Sequence, residues 1–186
     1  TGLRVNDTTG DKDLSRKFHD IHDFCIAKNV RKLRPGGIGI FITSNGTLDN
    51  SKKLRDWVVN EGGADFIGAF RLNNKTFSGT AVTSDIVVIR KRVNGKRSAN
   101  AIDVSTTSGE RTAEYDTGKT RKVKGVEAPI IKELAMDYNR YFMEHPENMA
   151  GEMQFGFENG DTYRPTSKGL YPTRGKDQGE LLNNFV

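Results

Sequence analysis

The stretch 33–45, which reads LRPGGIGIFITSN, constrains the fold more than any other part of the chain. Its proline prevents a helix from continuing, and its paired glycines supply a tight turn. Residues 38–42 are apolar and mostly β-branched, which predicts a buried strand covered on both faces. Ligand sites of open α/β sheets lie at the carboxyl ends of strands, so Thr43, Ser44 and Asn45 are candidate site residues.

The segments beside this strand predict alternating helices and strands. Apolar residues recur at three- and four-residue steps over 13–33, which predicts one helix ending before the turn. A second helix is predicted after a loop at 46–49, with Asp49 or Ser51 as its cap. Strands are predicted at 64–72 and 84–92, and the roughly 11 residues between them are too few for a crossover helix. These two strands should be antiparallel neighbours, in a parallel sheet with one reversed strand.

The second half of the chain predicts a different organisation. Residues 93–127 are rich in Gly, Ser, Thr and basic residues, which predicts a long exposed or partly disordered loop. Pro129 is placed to begin a third helix that ends before His145. Alternating residues from 153 to 157, followed by Asn159-Gly160, predict a hairpin returning at 162–164. A short helix is predicted over 179–185.

Composition restricts the class of protein. No apolar stretch approaches the roughly 20 residues of a membrane helix, so we expect no membrane segment. A single cysteine, Cys25, fits a reducing cytoplasm and is predicted to be a core thiol. Residues 1–97 contain 18 Lys and Arg against 10 Asp and Glu. This excess, with basic sets at 90–92, 96–97 and 121–124, fits either a nucleic-acid partner or an ordinary solvated surface.

Three stretches, 33–49, 66–77 and 80–92, together resemble a known family. They are similar to the S-adenosylmethionine-dependent DNA methyltransferases that modify adenine N6, of the large bacterial and mobile-element type linked to helicase modules. The resemblance covers residues 14–92 well and extends more weakly to about residue 155, through the segment that begins NRYFMEHPE.

This resemblance implies an α/β fold. Residues 1–97 would be the second half of a Rossmann-like methyltransferase sheet, which is mixed and has an antiparallel last strand. Residues 98–127 would form an exposed linker, and residues 128–186 an α+β extension. The implied partners are DNA, the rest of the parent methyltransferase chain and helicase modules. The implied cofactor is S-adenosylmethionine.

Two motifs of the family are absent from the chain. These are the cofactor loop Phe-x-Gly-x-Gly and the catalytic turn Asn/Asp-Pro-Pro-Tyr/Phe, both of which would precede Thr1. Because the chain opens without an initiator methionine, we expect a fragment of a larger polypeptide. The fragment should contain no catalytic residue and should be inactive alone. The alternative is a non-catalytic nucleic-acid-binding or scaffold domain.

The resemblance places an aromatic residue of the base pocket at Phe77. A flipped adenine needs a flat apolar surface, and Phe77 matches the position that the family uses for stacking. The alternative is that Phe77 anchors its loop in the core.

Polar residues give further candidates. Asn73, Asn74 and Lys75 either contact DNA phosphates or simply form a turn. The three polar residues at 43–45 either line the site or end the strand and cap the following turn. His19, Asp20, His22 and Asp23 have helical spacing, but they lie on about one turn with no distant ligand, so no metal site is predicted.

Overall fold

The structure, a computed structural model, describes residues 10–80, 82–157, 165–171 and 177–185. This part of the chain is a mixed α/β structure with antiparallel sheets. The helices are α1 (Lys12–Lys17), α2 (Ile21–Lys32), α3 (Gly46–Asp49), α4 (Lys52–Asn60), α5 (Arg140–Glu144) and α6 (Gln178–Phe185). The strands are β1 (Ile38–Ser44), β2 (Ala64–Leu72), β3 (Ser84–Lys91), β4 (Thr107–Val123), β5 (Val126–Asn139), β6 (Glu152–Phe157) and β7 (Pro165–Tyr171). None of the described helices has the length and apolarity needed to cross a membrane.

The helix predicted over 13–33 is two helices, α1 and α2. The chain becomes extended at Phe18, and Asp20 occupies the N-cap position of α2. This break changes the helical phase, so α2 turns Phe24, Ala27 and Val30 inward. Cys25 is therefore exposed, and the prediction of a core thiol is wrong.

Strands β1, β2 and β3 form one sheet in the order β1-β3-β2. The predicted antiparallel pairing of β2 with β3 is confirmed, and β3 is also antiparallel to β1. Strands β1 and β2 therefore run in the same direction but are not neighbours. The reversed strand β3 lies between them, so both pairings within this sheet are antiparallel.

The two faces of this sheet are covered unequally. The face that contains Val87 and Ile89 packs against buried side chains of α2 and α4 in the main core. On the opposite face, α6 packs over β2, and the rings of Phe70 and Phe185 lie 5.4 Å apart. This cover does not extend to β1, whose alternate isoleucines are exposed. The prediction that β1 is covered on both faces is therefore wrong for the described residues.

Residues 107–139 form a long hairpin of β4 and β5. The expected irregular loop over 93–127 is thus wrong from Thr107 onward, and the helix predicted from Pro129 is a strand. Apolar positions in 126–138 are compatible with both helical and alternating periods, and pairing with β4 selects the strand. Only residues 140–144 of the predicted helix are helical, as α5.

After α5, the chain forms the two elements predicted near its end, a hairpin and a short helix. Strand β6 pairs antiparallel with β7, so the hairpin is confirmed, although its described return strand is 165–171. The predicted turn at 159–160 and return at 162–164 lie outside the described residues. Helix α6 matches the helix predicted over 179–185. The backbone N–H of Ala150, just before β6, donates to Arg71 O over 2.9 Å and joins this part of the chain to β2.

Candidate functional site

The strand ends bring the predicted site residues to one edge of the sheet. Ser44 at the end of β1 and Leu72 at the end of β2 both lie opposite Ser84, the first residue of β3. Residues 43–45 and 73–77 therefore lie on the two sides of the first residue of β3. The register thus brings the candidate residues at 43–45 and 73–77 to the same edge of the sheet.

Two of the three polar residues at the end of β1 bond to α3. Thr43 is buried, and its Oγ1 lies 2.7 Å from Oγ1 of Thr47. Asn45 Nδ2 donates to Asp49 Oδ2 over 3.1 Å. These bonds favour a strand-ending and turn-stabilising role for Thr43 and Asn45. Ser44 is half-buried, so it remains a candidate site residue.

The 73–75 segment is mainly a turn. Asn73 is buried, and its Oδ1 accepts the backbone N–H of Lys75 over 3.0 Å. Its backbone N–H donates to Gln178 of α6 over 3.2 Å, so Asn73 holds the loop against α6. Asn74 is also buried, whereas Lys75 is exposed. Of these three residues, Lys75 alone is placed to reach a phosphate, and the predicted phosphate contact of the two asparagines is not favoured.

Phe77 lies on the loop that follows this turn. Its side chain is 39% exposed and does not belong to the buried core of the described residues. This exposure is unfavourable for the loop-anchor interpretation, because an anchor buries its ring. It leaves an aromatic surface available at the same edge as Ser44, and stacking on a base stays a prediction.

Beside the strand ends lies a buried charge cluster that the sequence interpretation missed. Arg71 of β2 is opposite Asp85 of β3, and its Nε and Nη2 donate to the two carboxylate oxygens over 2.8 and 2.9 Å. Arg71 Nη2 also donates to Asp49 Oδ1 over 2.8 Å. All three side chains have zero exposure. This cluster connects α3 to both strands directly next to the candidate site.

The C-terminal extension completes the surroundings of the cluster. The Arg71 guanidinium lies 4.3 Å from the ring centroid of Phe142, within cation–π distance. The backbone N–H of Asn139 donates to Asp49 Oδ1 over 2.9 Å. Residues distant in the chain therefore converge on one guanidinium, and the cluster fixes the position of the strand ends.

Burial and neighbouring charges shift the pKa values of Arg71 and Asp85. Burial raises the pKa of Asp85, and the Arg71 charge offsets part of that rise. Burial alone would lower the pKa of Arg71, but Asp85 and Asp49 outweigh it and raise that pKa above its usual range. A sequence signal for the cluster existed, since Arg71 and Asp85 are opposite charges inside two apolar strands. Recognising the pair required the register.

A cleft of about 300 Å³ lies elsewhere, between α4 and residues 102–105. The buried side chain of Arg55 lines it, and Arg55 Nε has no hydrogen-bond partner among the described residues. Arg97, Asp56 and Asp103 also line the cleft, so two cations face two anions and neither charge sign of ligand is favoured. None of the predicted site residues borders this cleft.

The histidines and aspartates at positions 19–23, around the start of α2, cluster only in part. The potential ligand atoms of Asp20, His22 and Asp23 lie within 4.8 Å of one another, and His19 is not in the group. His22 Nε2 lies 3.1 Å from Asp23 Oδ1, which is an ion-pair distance. Burial raises the pKa of Asp23, and the neighbouring His22 opposes that rise. The His22 ring and the Asp23 carboxylate are thus in contact at the start of α2. The expectation of no metal site stays a prediction.

The site therefore consists of a strand-end edge with an exposed aromatic ring, a half-buried serine and a lysine, supported by a buried arginine cluster. Such a surface can hold a planar apolar group and an anion, and it contains no arrangement of nucleophile and base that we recognise among the described residues. Comparisons with protein-family models, with curated proteins and with solved structures found no match to this chain.

Proposed function

We propose that this chain is part of a DNA methyltransferase that transfers a methyl group from S-adenosylmethionine to adenine N6. The observation that carries the proposal is the strand order β1-β3-β2, in which the last strand is reversed and central. The resemblance over residues 14–92 implies a reversed last strand in the second half of a Rossmann-like methyltransferase sheet. Sequence motifs and strand directions thus support the same assignment.

The outer edge of β1 supports a partner for this sheet. Lys91 at the end of β3 donates its backbone N–H to Gly37 O, and Asn45 donates its backbone N–H to Thr83 O just before β3. These two bonds mark the odd-numbered residues of β1 as those bonded to β3. In an antiparallel ladder bonded pairs alternate, so the backbone groups of Ile38, Ile40 and Ile42 point to the open edge. Their side chains are 55%, 68% and 63% exposed. Proteins avoid open apolar edges, and we assign this one to the rest of the proposed parent chain.

The residues at the strand ends do not by themselves fit S-adenosylmethionine. A dinucleotide-type cofactor site uses a glycine-rich turn that lets the backbone approach the ligand, and the chain has no such turn before a helix at this edge. The end of β1 instead runs directly into α3, where Thr43 and Asn45 bond internally. The cofactor therefore belongs to the other half of the proposed parent.

This chain would contribute the base-side wall of the pocket. Adenine N6 is a poor nucleophile because its lone pair is conjugated with the ring, and enzymes of this kind flip the base out of the duplex. A flipped base needs an aromatic or apolar face, which the exposed ring of Phe77 offers. Lys75, exposed two residues earlier, can bind a neighbouring phosphate.

We expect the isolated chain to fold without binding S-adenosylmethionine appreciably, because it lacks the glycine turn that approaches the cofactor. Isothermal titration of the purified chain with S-adenosylmethionine tests this expectation. A dissociation constant in the low micromolar range would place a cofactor site within this chain. It would contradict the assignment of the cofactor to the other half of the proposed parent.

The function is tested by methyl transfer in the proposed parent protein, with labelled S-adenosylmethionine and an adenine-containing duplex. Ile40→Glu should lower transfer by about tenfold, since a carboxylate would be buried where the other half pairs. Ile21→Glu, at an apolar residue that is 42% exposed on α2, is the matched control and should retain activity.

The isolated Ile40→Glu chain should melt like the unsubstituted chain, because Ile40 is already exposed in it. Absence of methyl transfer in the unsubstituted parent would exclude the enzyme and leave the nucleic-acid-binding or scaffold domain. Equal activity of both glutamate variants would remove the assigned role of the β1 edge.

A further inference from the structure

The outer part of the β4–β5 hairpin is a separate exposed surface with an uneven charge. Every residue from 119 to 127 is exposed, whereas Met136, Tyr138 and Asn139 at the base of β5 are buried. The turn lies about 14 residues from that base, which is about 45 Å at the rise of a strand. We refer to residues 119–127 as the arm tip.

The arm tip concentrates positive charge. It contains four cations and one anion, Glu127, within nine residues. The cations are Lys119, Arg121, Lys122 and Lys124. Lys122 stands opposite Glu127, but Arg121 stands opposite Ala128, and no ion pair joins Arg121 or Lys124 to a described residue. The charges of Arg121 and Lys124 are therefore available to a polyanion.

The end of the arm tip is also apolar. Val123 and Val126 face each other across the turn and are 44% and 69% exposed. Lys124 and Gly125 occupy the turn with positive φ angles of 51° and 85°, the geometry of a tight two-residue hairpin turn. The end is thus narrow, and it combines two exposed valines with Lys124 in the turn and with further cations along β4.

We propose that the arm tip enters the major groove of duplex DNA. The major groove is about 12 Å wide and admits a two-stranded β-ribbon. Lysine and arginine side chains at the edges of the ribbon contact phosphates, and the valines contact apolar base edges such as the thymine methyl group. This inference rests on the proposed function, which supplies DNA as the polyanion, and it identifies the surface that holds the duplex.

Binding of a fluorescent 24-base-pair duplex to the full chain, measured by anisotropy over a series of salt concentrations, tests the proposal. The variant Arg121→Gln/Lys122→Gln/Lys124→Gln removes three phosphate contacts. The slope of log K against log salt should then decrease in magnitude by about 2.7, and binding at 0.1 M salt should weaken on the order of 100-fold.

The matched control is Lys12→Gln/Arg16→Gln/Lys32→Gln, which makes the same charge change at exposed residues of α1 and α2. It should retain the slope of the unsubstituted chain. An unchanged slope in the arm variant, or an equal loss in the control, would overturn the proposal in favour of diffuse attraction.

The variant Val123→Ser/Val126→Ser distinguishes insertion of the arm tip into the groove from electrostatic attraction to the phosphates. This variant should weaken duplex binding several-fold and leave the salt slope unchanged, because no phosphate contact is removed. Unchanged affinity would show that the arm tip does not enter the groove. All variants should keep the melting temperature of the unsubstituted chain, since the substituted residues are exposed.

Two further measurements assign the polyanion and separate this inference from the proposed function. Vesicles of phosphatidylcholine and phosphatidylserine that bind as tightly as the duplex, with the same loss in the arm variant, would overturn the assignment to DNA. If the parent methylates normally and its arm variant binds DNA unchanged, DNA binding by the arm tip is excluded and the proposed function is retained. If the chain binds DNA through the arm tip but the parent transfers no methyl group, the proposed methyltransferase function is excluded and DNA binding by the arm tip is retained.

Discussion

Replacement of Arg71 by methionine is expected to lower the free energy of unfolding by about 3–5 kcal/mol. The side chain is fully buried and bonds to both Asp85 and Asp49, so its removal leaves two carboxylates without a cation. A chain of this size should lose about 6–20 °C in melting temperature. Calorimetry or denaturant unfolding monitored by circular dichroism measures the change.

The pH dependence of the same variant identifies the cause. Without Arg71, burial raises the pKa of Asp85 in the folded state with no neighbouring cation to offset the rise. The folded state then binds more protons than the unfolded state, so stability falls as pH rises from about 4 through the raised pKa of Asp85. We expect this fall to be steeper than in the unsubstituted chain, where Asp85 already has a raised pKa.

Two variants serve as controls for the cluster. Arg140→Met removes a cation from an exposed pair with Glu144 and should change stability by less than about 1 kcal/mol. Arg71→Lys keeps the charge and loses the planar fork, so it should destabilise without the added pH slope. A stable Arg71→Met chain with a flat pH profile would mean that the cluster does not hold the strand ends together.

Phe77→Ala in the proposed parent enzyme is expected to slow methyl transfer by about 5- to 150-fold. Stacking of a base on an aromatic ring is worth about 1–3 kcal/mol by alanine substitution, and a flipped adenine should draw on a similar interaction. Binding of the duplex should weaken less than methylation, because the phosphate contacts remain. Single-turnover methylation and duplex binding measured on the same preparation separate the two effects.

The exposure of Phe77 makes this test selective. A ring that is 39% exposed contributes little to the core, so Phe77→Ala should leave the melting temperature nearly unchanged. Phe77→Trp and Phe77→Tyr supply another π face and should retain more activity than alanine. Equal methylation by all three variants, or unfolding of the alanine variant, would return Phe77 to the role of a core anchor.

Local sequence patterns determined the elements around the candidate site. The proline-glycine turn before β1, the apolar run that forms β1 and the bounds of β2 all follow from short-range signals, which act within a few residues. The antiparallel pairing of β2 with β3 followed from the length of the connection between them. These features placed residues 43–45 at a strand end, and the register added residues 73–77 at the same edge of the sheet.

Tertiary structure decided what local patterns leave open. The period of residues 126–138 fits either a helix or a strand, and β4 selects the strand by pairing with it. The break at Phe18 resets the phase of α2 and exposes Cys25, which a single helix over 13–33 would have buried.

Position in the sheet likewise depended on contacts distant in the chain. An apolar run does not reveal whether a strand lies at the centre or the edge, because that depends on which strands come to pair with it. The isoleucines of β1 are exposed for this reason. The buried cluster of Arg71 has the same origin, since its partners come from α3 and β3 and only the register brings opposite charges together. Sequence therefore determined the elements and the edge where the candidate site lies, while long-range pairing decided which side chains are free to act there.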